Sequence, residues 1–215
     1  MENGRARCKL IHPKANNLIK RVRDRVDKEW TSRDEKGEVN IYPVEQLQKM
    51  KEGNWLILAR DRYRLDTLEE DLRIYGYYFS RGDRTSINKR VQDAVLAWED
   101  VRKGKSLNIK RVKSFYNYIK TGTGVAKEHK AMKNVDKEKL FTFDTLTADY
   151  GLKVDKELPW FKALENIEPQ KKTYVRMCLR RKENIRREPR IKLSTIHGSK
   201  GGEADNVMLL TDLSR

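Results

Sequence analysis

Cysteine is nearly missing from this chain: Cys8 and Cys178 are the only two in 215 residues. Neither has a partner at zinc-ligand spacing, which excludes a disulfide framework and a zinc module built on cysteine. Histidine is as scarce, and His12, His129 and His197 are too scattered to suggest a metal cluster. No stretch approaches the roughly 18 apolar residues of a membrane span. The opening MENGRARCKL has no apolar core of the signal-peptide kind. A secreted or integral membrane protein is therefore not expected, and two isolated thiols fit a cytoplasmic location, the nucleoid or a phage-infected cell included.

What is abundant is positive charge. Lys and Arg number 48 against 32 Asp and Glu, a formal net charge of +16. An excess of this size suggests a polyanionic partner, most often nucleic acid. It is uneven: KKTYVRMCLRRKENIRREPRIK, residues 171–192, holds ten basic residues against Glu183 and Glu188. Such a run reads either as a solvated basic helix face or as a phosphate-contacting surface, and composition does not separate the two. Apolar residues make up 37% of the chain. With glycine added, the share lies just under the roughly 45–50% of globular chains, enough for a core. The length allows one or two domains.

Along the chain, residues 13–30 read as a helix, with Pro13 in its first turn and Ala15, Leu18, Ile19, Val22, Val26 and Trp30 at helical spacing. Val39 and Ile41 alternate with polar neighbours, as in a short strand. WLILA (55–59) has the pattern of a buried strand. Asp66 and Glu69 have the form of a capping box for a helix carrying Leu68 and Leu72, ended by Gly76. Strand, loop with Arg60, and helix make an α/β unit. Ser86 can cap a helix with Ile87, Val91, Ala94, Val95, Trp98 and Val101 inward, closed by Gly104. A second helix covers 108–120, with Ile109, Val112, Phe115 and Ile119 inward. Residues 121–139 read as a polar loop, and a third helical region spans 157–186, broken near Pro169. Strand signals return with IKLSTI (191–196) and NVMLLT (206–211).

Gly104-Lys105-Ser106 looks like the tail of a P-loop, but the pattern needs an earlier glycine where Glu99 stands, and a helix, not a strand, precedes it. The chain therefore carries no recognisable primary ATP-phosphate site. The segment IKLSTIHGSKGGEADNVMLLTD (191–212) is more informative. Gly198, Gly201 and Gly202 let backbone approach a ligand. Ser194, Thr195 and His197 can donate to phosphate or base, Lys200 can offset phosphate charge, and Glu203 can accept from ribose hydroxyls. The alternative is a tight turn between two core strands with its polar residues merely exposed.

Thr195, Ile196, His197, Lys200, Gly201 and Glu203 match the pattern T-hydrophobic-H-x-x-K-G-x-E, and the segment resembles motif V of the UvrD/Rep-type superfamily 1 DNA helicases. WLILARDRYRLDTLEEDLRIYGYYF (55–79) is similar to the family's strand, helix and Gly-aromatic turn. RARCKLIHPKANNLIKRV, residues 5–22, is similar to the end of its motif IV region, with Arg7 or Arg5 as the ATP-contacting arginine.

The resemblance implies an α/β fold: a partial RecA-like parallel sheet of the P-loop NTPase kind with an inserted, mainly helical subdomain. Residues 1–80 would form the first part of the second RecA-like domain, 81–188 the insertion, and 189–215 the return to the sheet. It further implies an ATP-dependent enzyme that moves on single-stranded DNA and unwinds duplex, using ATP with Mg2+. The P-loop and Walker B motif would lie on a first RecA-like domain upstream, and motif VI downstream, so that the chain alone would be an inactive fragment. Ser194, Thr195 and His197 would face the DNA strand, with Arg180 and Arg181 of the basic run as further DNA contacts. Glu203 would face the nucleotide ribose, Lys200 and Gly201 would line the junction, and Arg7 would contact ATP. Its partners would be single-stranded DNA, a duplex junction and the first RecA-like domain, and no membrane. The competing expectation is a stand-alone basic nucleic-acid-binding module without motor activity. A nuclease is disfavoured by the lack of clustered carboxylates around a conspicuous His or Lys.

Overall fold

The computed structural model describes residues 8–24, 26, 34–41, 47, 50, 53–133, 135–136, 138–200 and 202–211. The chain divides into two compact units, Met1–Met50 and Lys51–Arg215.

In the first unit, helix α1 spans Ile11–Ile19. It is shorter than the 13–30 expected from apolar spacing. Lys20 closes it by donating its N–H to the Asn16 carbonyl at 3.0 Å, and the chain then turns at Arg21 and Val22. Leu18, Ile19 and Val22 are exposed, so no apolar contact extends the helix. Trp30 lies outside the described residues. The strand expected at Val39 and Ile41 does not form: residues 35–41 are irregular. Lys9 and Leu10 donate to the carbonyls of Glu35 and Lys36.

The second unit is α/β. Strands β1 (Trp55–Ala59), β2 (Phe79–Arg81), β3 (Arg84–Thr85), β6 (Ile191–Thr195) and β7 (Asn206–Leu209) make a mixed, mostly parallel sheet in the order β3-β2-β6-β1-β7. Only β3 is antiparallel to its neighbour. Ile57, Leu193 and Met208 are in register across the central strands, so they share one face. Helix α2 (Arg62–Ile74) packs against β1 and β6 with Leu65, Leu68 and Leu72 buried. At roughly 1.5–3 kcal/mol per buried aliphatic side chain, these three anchor the helix. That stripe starts at Leu65, so the helix begins a turn before the expected capping box. Asp66 and Glu69 therefore lie in its interior, where both accept from the Arg81 guanidinium of β2, Glu69 at 2.9 Å.

Between β3 and β6 the chain is mainly helical. Helix α3 (Lys89–Arg102) is capped by Asn88, whose side chain accepts the Arg90 N–H at 2.9 Å; the expected cap, Ser86, instead accepts the Phe79 N–H at 3.1 Å. Strands β4 (Leu107–Asn108) and β5 (Leu140–Phe141) pair antiparallel. Helix α4 (Ile109–Tyr116) is capped by Asn108 and stops before Ile119, which stays buried in the following turns. The Lys130 ammonium donates to the Tyr116 and Ile119 carbonyls at and just beyond that end. Burial pushes its pKa down. The 121–139 segment holds a short 3-10 turn, Lys127–His129, and buries Val125 and Met132. Helix α5 (Phe143–Asp149), capped by Thr142, lies in a stretch without a clear apolar spacing in the sequence. The region expected at 157–186 splits into α6 (Trp160–Ala163) and α7 (Pro169–Arg180), with Pro169 in the first turn of α7. These helices share a core around Trp98, whose ring meets Phe115 edge-on at 5.7 Å and whose indole N–H donates to the Leu158 carbonyl.

A candidate nucleic-acid interface at the carboxyl ends of the strands

Strands β6 and β7 both run parallel to β1 and lie on either side of it. The segment joining them is therefore not a tight turn. It must carry the chain from the carboxyl end of β6 back to the amino end of β7, crossing β1. It begins as a compact turn: Gly198 N–H donates to Thr195 Oγ1 at 3.0 Å, Ser199 N–H to the Thr195 carbonyl at 3.0 Å, and Ser199 Oγ to the Ile196 carbonyl. A Cβ at Gly198 would lie 2.9 Å from Ser194 Oγ and 3.1 Å from Thr195 Oγ1, so glycine lets the turn fold closely over those hydroxyls. The segment then passes Leu56, whose Cδ2 is 3.7 Å from a Cβ built on Gly202. It ends where Asp205 accepts from the Asn54 backbone N–H at 2.9 Å and from its side-chain amide at 3.2 Å.

Ser194, Thr195, His197 and Lys200 are thereby gathered at the carboxyl end of β6, with His197 and Lys200 exposed. Arg60, also exposed, follows β1 directly beside them, since Ile196 N–H donates to the Ala59 carbonyl at 3.0 Å. Ligands of open α/β sheets bind outside the carboxyl ends of the strands. Two hydroxyls, an imidazole and two cations converge there, a set that can donate to phosphate oxygens but holds no acid or base pair. Glu203 lies further along, between Gly202 at Leu56 and Asp205 at Asn54, away from that end of the sheet. Gly201 and Arg7 fall outside the described residues, as does Arg5.

Arg180 and Arg181 are not part of this group. Arg181 lies at the opposite end of the sheet, with its guanidinium 3.7 Å from the centre of the Tyr77 ring and donating to the Tyr75 carbonyl at 3.1 Å. Arg180 is its exposed neighbour at the end of α7. Much of the basic run has work inside the fold. Arg176 sits 4.3 Å from the Phe161 ring, Lys172 donates to the Glu165 carbonyl, and Arg190 pairs with buried Glu183 at 2.9 Å. Arg186 grips Asp100 with two hydrogen bonds, 2.8 and 3.0 Å long. Asp100, 3% exposed, also takes Arg111 at 2.6 Å and Lys105 at 3.0 Å. Burial alone would push its carboxyl up, but the hydrogen bonds from Arg186, Arg111 and Lys105 hold it well below the usual carboxylate range. The P-loop look-alike at Gly104-Lys105 is part of this arrangement and closes α3.

Outside the basic run, a further group of cations stands clear of the fold. Arg90, Lys110 and Lys113 form no ion pair among the described residues, and all three are exposed. The available signal was the helical spacing that turns Val112 and Phe115 inward, because it turns Lys110 and Lys113 outward. Comparisons with family models, with curated proteins and with solved structures return no match to this chain.

Proposed function

We propose that the second unit is the second RecA-like half of a superfamily 1 DNA motor, and that the 194–200 turn contacts the single strand. One observation carries the reading. The segment resembling motif V is a crossover between parallel strands, and it presents Ser194, Thr195, His197 and Lys200 together at a sheet's carboxyl end. Glu203, set apart from them along the same crossover, would serve the nucleotide, so that one segment would touch both ligands and couple them. The sequence holds no P-loop, so ATP with Mg2+ would be bound jointly with a P-loop-bearing domain, and this chain's share would be the ribose contact and the coupling.

The test is fluorescence-anisotropy titration of the chain with a labelled 20-nucleotide single strand at low salt. Thr195→Ala/His197→Ala/Lys200→Ala should weaken binding by about ten-fold and lower its salt dependence, because Lys200 contributes a phosphate contact. Glu203→Ala should leave affinity unchanged or slightly raised, since it removes a negative charge. Unaltered affinity in the triple variant would overturn the reading, and so would steady ATP hydrolysis by the purified chain.

A further inference from the structure

Of the ten basic residues in 171–192, Lys171, Lys172, Arg176, Arg181, Arg186 and Arg190 are tied to carboxylates, carbonyls or rings of the fold. The most charge-dense stretch of sequence is thus largely engaged within the fold. Another group of cations is not. Helices α3 and α4 pack together, and between their outer faces lies a groove of about 500 Å³ lined by Arg90, Asp93, Lys110, Lys113, Ser114, Asn117 and the ring of Tyr118.

The wall is built by helical periodicity. On α4, Lys110, Lys113, Ser114 and Asn117 recur three and four residues apart on the side opposite Val112, Phe115 and Tyr116, which are buried. On α3, Arg90 and Asp93 stand above buried Val91, Ala94 and Val95. Both helices are fixed through the Trp98 core, so the cations project from a rigid base. The single carboxylate in the groove, Asp93, is held by Lys89 at 3.0 Å and so leaves the other cations free of it. Ser114 Oγ donates to the Arg111 carbonyl, and the exposed Asn117 amide completes the polar lining. Three cations that form no ion pair among the described residues, with a side-chain amide beside them and the half-buried Tyr118 ring in the lining, answer the phosphates of a polyanion by charge rather than a small apolar ligand.

We infer that the α3–α4 groove binds the phosphodiester backbone of nucleic acid as a second contact site, separate from the 194–200 turn. It rests on the proposed function only in taking nucleic acid as the partner. Its chemistry reads no bases, so it would hold single strand and duplex through the same phosphates, and the two are separated by experiment.

The full chain, titrated with a labelled 20-nucleotide strand and a labelled 20-base-pair duplex across a salt series, provides the test. Arg90→Ala/Lys110→Ala/Lys113→Ala should bind about ten-fold more weakly at 50 mM salt, with the slope of log affinity against log salt reduced by about two to three. Asp93→Asn should bind about two-fold more tightly. The control Lys9→Ala/Lys103→Ala/Lys171→Ala removes the same charge from lysines already paired with Asp34, Glu99 and Glu168. It should bind as the parent does. A larger loss on duplex than on single strand assigns the groove to duplex, and the reverse assigns it to single strand. A groove variant that binds both like the parent, or a control that loses as much, would overturn the inference. The 194–200 variant fails or succeeds independently, so loss there with none in the groove sinks this inference and spares the motor reading.

Discussion

The hydroxyl of Tyr174 donates to the carbonyl of Tyr77 at 2.6 Å, joining α7 to the segment that leads into β2. The same oxygen is 2.7 Å from the Ser86 hydroxyl, which itself accepts the Phe79 N–H. Burial pushes the Tyr174 phenol far above its ordinary range, so it remains a donor wherever the protein is folded. With Arg181 stacked on Tyr77, this clasp holds the helical region against the sheet. Tyr174→Phe leaves a carbonyl unsatisfied and should cost about 1–3 kcal/mol in urea unfolding. Combined with Ser86→Ala, the loss should fall short of additive by at least about 0.5 kcal/mol, since both changes break one network. Strict additivity would mean that the two hydroxyls act separately.

Gly76 belongs to the same contact. Its φ is +71°, and a Cβ there would lie 2.9 Å from Met177 Cβ and 3.0 Å from its carbonyl carbon. Gly104 has a similar φ of +87° with nothing within 4 Å. Gly104→Ala should therefore cost only the backbone penalty, about 1–2 kcal/mol. Gly76→Ala adds a collision with backbone and should cost clearly more, about 2–4 kcal/mol. Equal losses on thermal unfolding would show that α7 gives way freely.

Asp100 sets an acid limit on stability. Its carboxyl is held below its unfolded value, so its contribution is complete above the ordinary aspartate pKa of about 3.9 and is lost as pH falls further. Urea midpoints of the parent should drop steeply below about pH 4. Asp100→Asn should be destabilised at pH 7 by about 3 kcal/mol, the lower end for a broken buried pair, because Arg186 and Arg111 can turn to water. Its own pH profile should be flatter in the acid range. A parallel profile would remove Asp100 from the account.

The two thiols should differ in reactivity. Burial pushes the Cys178 thiol up to about 12, and it is shut inside the helical core, whereas Cys8 is half-buried. Thiolate is the reactive form. At pH 8 a colorimetric thiol reagent should titrate one sulfur in the folded protein and two in denaturant. Two rapid equivalents in the folded protein would contradict the placement of Cys178.

Apolar runs made β1, β6 and β7 legible, since WLILA, IKLSTI and NVMLLT have few other ways to be buried. Their order was not, because pairing between residues so far apart leaves no local trace; the crossover at 196–205 only becomes visible once β1 is known to lie between β6 and β7. Helix ends were misplaced where two polar residues competed. Ser86 and Asn88 are both good caps, and Tyr174, 88 residues on, decides between them by occupying Ser86. Helix α5 escaped because FDTLTAD buries only Leu146. For the site, the residues of the 194–200 turn are readable as a group, while the stacking of the exposed Arg181 on Tyr77 is not. A guanidinium stacked on Tyr77 looks the same in sequence as one waiting for phosphate.

The place of β1 in the sheet also has a consequence in time. Asn54 is joined to Asp205 across 151 residues, and both strands flanking β1 are made after the whole helical region. At about 5–20 residues per second, WLILA waits on the ribosome for about 7 to 27 s before either neighbour exists. The helices around Trp98 find their core partners among themselves and can condense during that interval. Synthesis therefore favours a helical region that condenses before the strands flanking β1 exist. The vulnerable species is a chain stalled between α7 and β6, with a finished helical body beside a bare apolar strand.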